Sequence, residues 1–146
     1  MLLLERLIAQ PLKELGFRKK SRTWWRHNDD TIQVLNLQKS PYGERMYVNL
    51  GIYVRALGTE DLPPENRCHL QVRLERVSNA ERWGSVASAE SDREPTPELI
   101  AAVLVDGVAW LDRLSTLAGI REYIDSGGAS NGLVSSTVRQ LLDALH

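Results

Sequence analysis

Arg45-Met46-Tyr47-Val48-Asn49-Leu50-Gly51-Ile52-Tyr53-Val54-Arg55 alternates without a break, and its reading decides the fold. Met46, Val48, Leu50, Ile52 and Val54 fall on one side of an extended chain, and Tyr47, Asn49, Gly51 and Tyr53 on the other. Strict period-two alternation marks a half-buried strand of an antiparallel sheet. Residues 31–38 read as its hairpin partner, joined through the turn-rich Lys39-Ser40-Pro41-Tyr42-Gly43-Glu44. Desolvation sets the partner's phase. With Leu35 and Leu37 inward, the amides of Asn36 and Gln38 stay outside the core beside Ile32 and Val34.

Upstream, Leu4, Leu7, Ile8, Leu12 and Leu15 share one side of a helix over residues 2–15. Pro11 predicts a kink or break within it. Gly16 predicts a left-handed cap, with Phe17 folding back behind it. Residues 23–27 read as a first strand, ended by Asn28-Asp29-Asp30. Downstream, residues 57–66 read as a loop and residues 68–77 as a fourth strand, with Leu70, Val72 and Leu74 inward. That alternation puts Cys68 and His69 on opposite faces. Residues 78–95 form a long loop, in which 83–87 is the place for a fifth, short edge strand. Thr96-Pro97-Glu98 is a helix start, followed by the stripe Leu99, Val103, Trp110, Leu114 and Leu117. Residues 120–125 add a short helical turn, and 126–132 are a flexible loop. Val134, Val138, Leu141, Leu142 and Leu145 mark a last helix. Helix, four strands, then helices is an α+β order: an antiparallel sheet with helices on one face, in a single domain spanning 1–146.

A chain of 146 residues, 42% apolar and 25% charged, buries a core without disulfides or metal. The lone Cys68 forms no internal bridge, and Glu5 and Arg6 interrupt the apolar start too early for a signal peptide. No apolar run approaches the ~18 residues of a membrane span. These features predict a cytoplasmic protein. The net charge of −1 conceals an asymmetry: residues 1–55 carry ten Lys/Arg against five Asp/Glu, and residues 56–146 carry eight against fourteen. Two faces of opposite sign suit a protein partner at least as well as nucleic acid.

The leading candidate site is the polar-aromatic sheet face: Asn36, Gln38, Tyr47, Asn49, Tyr53, Arg55, His69, Gln71 and Arg73. Tyr and Arg are enriched where binding energy concentrates. The plain alternative is an ordinary solvated face. A rival reading uses the basic-aromatic run Arg18, Lys19, Lys20, Arg22, Trp24 and Arg26 to bind nucleic acid, with a tryptophan stacked on a base. A third places acid–base chemistry at His69 with Tyr53, Glu75 and Arg73. The sequence has no Gly-rich phosphate loop, nucleophile elbow or second metal-ligand pair, and His146 is the last of only three histidines. The expectation leans away from an enzyme without closing that reading and calls for no cofactor or metal, and Trp110 reads as core.

The blocks from Gly16 to Arg26 and from Ile32 to Ser40 resemble a bacterial family catalogued as domain-of-unknown-function family 4304. The resemblance continues through residues 47–53, Cys68-His69 and Ala109-Trp110-Leu111, and so covers most of the chain. It implies a small cytosolic α+β domain, with no established activity and no catalytic residues to carry over. By analogy of size and context, such domains include antitoxins and immunity proteins. The sequence therefore predicts a protein-binding module that occludes a partner such as a toxin, with a homodimer as the alternative occupant of the exposed face.

Overall fold

The computed structural model describes residues 1–145; His146 lies outside the described residues. The elements are α1 (Leu3–Glu14), β1 (Arg18–Lys20), β2 (Thr23–His27), β3 (Thr31–Lys39), β4 (Met46–Val54), β5 (Leu70–Arg73), α2 (Trp83–Ala87), α3 (Pro97–Ala101), α4 (Val108–Arg113), α5 (Leu117–Asp125), β6 (Leu133–Val134) and α6 (Ser136–Ala144). The α+β class and the helix placement hold, but the sheet has six strands rather than four or five. They form an antiparallel meander in the order β1-β2-β3-β4-β5-β6. β1 and β6 escaped the sequence reading because three and two residues are too short to show alternation.

The predicted hairpin phase is the observed one. Leu35 pairs with Leu50 and Leu37 with Val48, and all four are buried on the helix side. The same phase turns Thr31 and Gln33 inward, where each is fully buried. Both find carbonyl partners around the end of α4, one in its last turn and one in the link to α5, where intrahelical donors run out. Thr31 Oγ1 donates to the Ser115 carbonyl at 2.8 Å, and Gln33 Nε2 to the Leu111 carbonyl at 2.5 Å. Gln33 Oε1 accepts from Arg26 Nε at 2.6 Å.

Several local expectations change. α1 runs unbroken through Pro11. Gly16 caps it at φ 94°, with Gly16 N donating to the Lys13 carbonyl and Phe17 N to the Leu12 carbonyl, both at 3.0 Å. The fourth strand shrinks to β5 and passes into a 3-10 turn, Leu74–Arg76. Residues 83–87 are helical, not an edge strand, and a 3-10 turn at Gly128–Asn131 followed by β6 occupies the expected glycine loop. Thr96 caps α3 as its sequence demands, accepting from Leu99 N at 3.1 Å. The expected stripe is broken twice. A π turn, Ala102–Gly107, inserts one extra residue per turn between α3 and α4, after which Val108, Trp110 and Leu111 return to the core. The helix then ends at Leu114, and Thr116 caps a new one. No helix among the described residues is long and apolar enough to cross a membrane.

Candidate binding site on the outer sheet face

The helices cover one side of the sheet, so pleating hands the alternate positions of β2, β3 and β4 to the other side. That outer face is not uniformly open. After β4 the chain turns back over it, and Trp25, Ile32, Val34, Tyr53 and Cys68 form a second apolar cluster beneath the returning segment. Trp25 Nε1 donates to the Pro63 carbonyl at 2.8 Å, and the Tyr53 hydroxyl accepts from Glu60 N at 3.1 Å. Cys68 lies directly on Gly51. A Cβ at that glycine would stand 2.6 Å from Cys68 Sγ, closer than atoms can approach. The lid is seated because β4 has no side chain there.

Two predicted positions thereby leave the surface. Tyr53 is only 4% exposed. His69 is half-buried with its ring centroid 4.8 Å from that of Tyr53, and its Nδ1 accepts from Val54 N at 2.9 Å. Burial pushes the His69 pKa down, against a smaller upward pull from Glu60. Cys68 lies outside the strand and faces the same cluster, not the helix core. Arg55 is exposed at the far end and donates to the Asn28 carbonyl at 2.8 Å.

The remaining predicted residues do come together. Asn36 Nδ2 donates to Thr23 Oγ1 at 3.0 Å. Asn49 Nδ2 donates both to Asn36 Oδ1 at 3.2 Å and to Gln38 Oε1 at 2.9 Å. The result is a ladder of side-chain hydrogen bonds, from the Thr23 hydroxyl on β2 through the amides of β3 and β4, with each group orienting the next. Gln71 ties β5 to the lid, its Nε2 donating to the Cys68 carbonyl at 2.9 Å. Arg73 lays its guanidinium over the Tyr47 ring at 3.8 Å, and Arg45 flanks the same ring at 5.2 Å. Two adjoining hollows of ≈ 390 and ≈ 290 Å³ share Gln38, Asn49 and Glu65.

Glu65 was not anticipated. It opens the 3-10 turn Glu65–Arg67 at the end of the lid, and its carboxyl has no hydrogen bond or ion pair among the described residues. Burial raises its pKa to about 7, although the Arg73 charge pulls the other way. Arg76, also unanticipated, lines the larger hollow without an acid partner among the described residues.

The basic-aromatic run is dispersed. Trp24 is 1% exposed and Trp25 7%, so neither is free to stack on a base. Lys19 turns inward to Glu5 at 2.7 Å. Arg26 is a clamp: besides Gln33 it donates to the Leu15 carbonyl at 2.9 Å and to Asp112, and it stacks on Phe17 at 4.4 Å. By the register, Arg18 and Lys20 stand on the outer side opposite Trp25 and Thr23, while Arg22 lies in the turn. A charged edge strand also discourages pairing with foreign strands. Of the acid–base set, Tyr53 and His69 do meet, while Glu75 sits in the 3-10 turn after β5 rather than in the strand.

The fold defines an α+β protein whose antiparallel meander is covered by helices on one side and half-covered by its own loop on the other. The chain belongs to the family described as Domain of unknown function (DUF4304), whose model matches residues 8–113. That span contains the amide ladder, the lid, Glu65, Arg73 and Arg76. No curated protein and no solved structure matches the chain.

Proposed function

We propose that this protein is a binding module that recognises a protein partner through the uncovered half of its outer sheet face. In this reading it acts by stoichiometric occlusion, in the manner of an immunity protein or antitoxin. One observation supports the reading above the rest. The apolar half of the face is already covered by the protein's own chain, while the polar half keeps pre-oriented amides beside two guanidiniums, Arg73 and Arg76, that have no acid partner among the described residues.

Groups held in place before binding lose little freedom on binding. The Tyr47–Arg73 stack supplies area and directional donors together. Free cations on this side favour a partner with an acidic surface and speed its association. Affinity capture from the source cells tests the reading, run with nuclease and at two salt concentrations. The wild-type protein retains one stoichiometric protein under all conditions. Tyr47→Ala and Arg73→Ala each weaken its capture at least tenfold while melting as cooperatively as the wild type. Retention of nucleic acid alone, lost at the higher salt, or a partner indifferent to both substitutions, refutes the reading.

A further inference from the structure

We propose that the larger hollow is a seat for a small zwitterion: an α-amino acid or a dipeptide, with its ammonium at Glu65 and its carboxylate at Arg73 and Arg76. This goes beyond recognition of a protein partner and does not rest on it. The argument starts from two opposite charges that share one hollow without closing on each other. Arg73 draws on Glu65 electrostatically, yet no ion pair forms between them. Each is held by a different element. The guanidinium lies on the Tyr47 ring at 3.8 Å, and Glu65 stands where the lid meets β4, its Cγ 3.4 Å from the position a Cβ on Gly51 would take.

A ligand carrying one charge of either sign meets an attractive group and a repulsive one here. A ligand carrying both satisfies both and spares Glu65 an unpaired carboxylate in a half-buried position. The amide ladder supplies what lies between. Asn49 Nδ2 serves Asn36 and Gln38, which leaves Asn49 Oδ1 as an acceptor and Gln38 Nε2 as a donor on two residues that line the same hollow. That pair complements the N–H and C=O of a peptide group. The volume of ≈ 390 Å³ lies at the small end of ligand sites.

Calorimetry on the full chain tests this with L-alanine and L-alanyl-L-alanine as probes. N-acetyl-L-alanyl-L-alanine, which lacks the ammonium, and L-alanyl-L-alaninamide, which lacks the carboxylate, are the half-ligands. The expected result is saturable binding of the dipeptide and at least tenfold weaker binding of each capped form. Glu65→Gln removes the discrimination against the acetylated form, and Arg73→Gln removes that against the amide. No binding of either zwitterion at millimolar concentration, by a protein that melts cooperatively, overturns the proposal. So does equal binding of free and capped dipeptides. Protein capture that survives Glu65→Gln while no zwitterion binds sinks this inference alone. Dipeptide binding without any captured protein supports it and leaves only the partner reading refuted.

Discussion

The two halves of the outer sheet face are built on the same three strands in one continuous register, and they end in opposite conditions. On β3 the boundary falls between Val34 and Asn36, and on β4 at Gly51. On one side of it Trp25, Ile32, Val34 and Tyr53 are sealed beneath the lid. On the other, Thr23, Asn36, Gln38 and Asn49 satisfy one another and face the hollows. A sheet face is therefore not a unit of exposure. Pleating decides which residues share a side, and a loop from elsewhere decides which of them water reaches. Apolar residues at outward positions needed a cover, and polar ones needed only neighbours within reach.

Removing the cover has the largest expected effect. Gly51→Val puts a branched side chain where Cys68 Sγ lies 2.6 Å from the would-be Cβ, so either the lid lifts or β4 shifts. The expected loss is about 3 kcal/mol, at the upper end of overpacking costs, because a lifted lid also exposes Trp25 and Tyr53. Urea unfolding followed by tryptophan fluorescence measures it. An unchanged midpoint and an unchanged Trp25 environment would show that the lid is not seated on β4.

A matched pair of smaller substitutions sharpens the contrast. Trp25→Phe keeps most of the apolar surface but deletes the donor to the buried Pro63 carbonyl. It should cost about 1–2 kcal/mol in stability and leave dipeptide and partner binding unchanged. Asn49→Ala should cost about 1 kcal/mol, since water can reach the Asn36 and Gln38 oxygens it abandons, yet it should weaken binding on the uncovered half by more than tenfold. If the two variants lose stability and binding in the same proportion, the halves are not functionally distinct.

The sheet was legible because alternation over nine residues in β4 admits one inward set, and the amide-out phase of β3 followed from desolvation alone. Asn36 and Gln38 follow from that phase, Asn49 from the alternation of β4, and Gln71 and Arg73 from the alternation of residues 68–77. The lid was not legible. Residues 57–66 read as a loop, and where a loop folds back is a tertiary fact with no period. Its trace in the sequence was Gly51, a glycine inside an otherwise regular strand, followed by Pro63-Pro64. A strand glycine signals close approach of another backbone. By alternation alone Tyr53 and His69 face outward, and Glu65 is one more acid in a loop. The Arg26 clamp was hidden for a similar reason: Leu15, Gln33 and Asp112 meet it only once the helices are packed.

The smallest effect has opposite signs in the two halves. Glu65 holds its proton more tightly folded than unfolded, with burial raising its pKa from 4.5 to about 7 against the pull of Arg73. Its contribution to stability is thus fully present below about pH 4.5 and lost as pH rises to about 7. His69, under the lid, is shifted down by burial, against the opposing pull of Glu60, and its Nδ1 must stay unprotonated to accept from Val54 N. Its contribution is present above 6.5 and lost as pH falls. Glu65→Gln should therefore match the wild type near pH 4 and exceed it near pH 8 by on the order of 1 kcal/mol, after allowing for solvent screening of a half-buried group. His69→Asn should change only the acid side. Urea midpoints across this range separate the two. A Glu65→Gln protein no more stable than the wild type near pH 8 means that the carboxylate is fully hydrated. The uncovered half would then be a flat polar surface rather than a cleft that holds a charge in waiting.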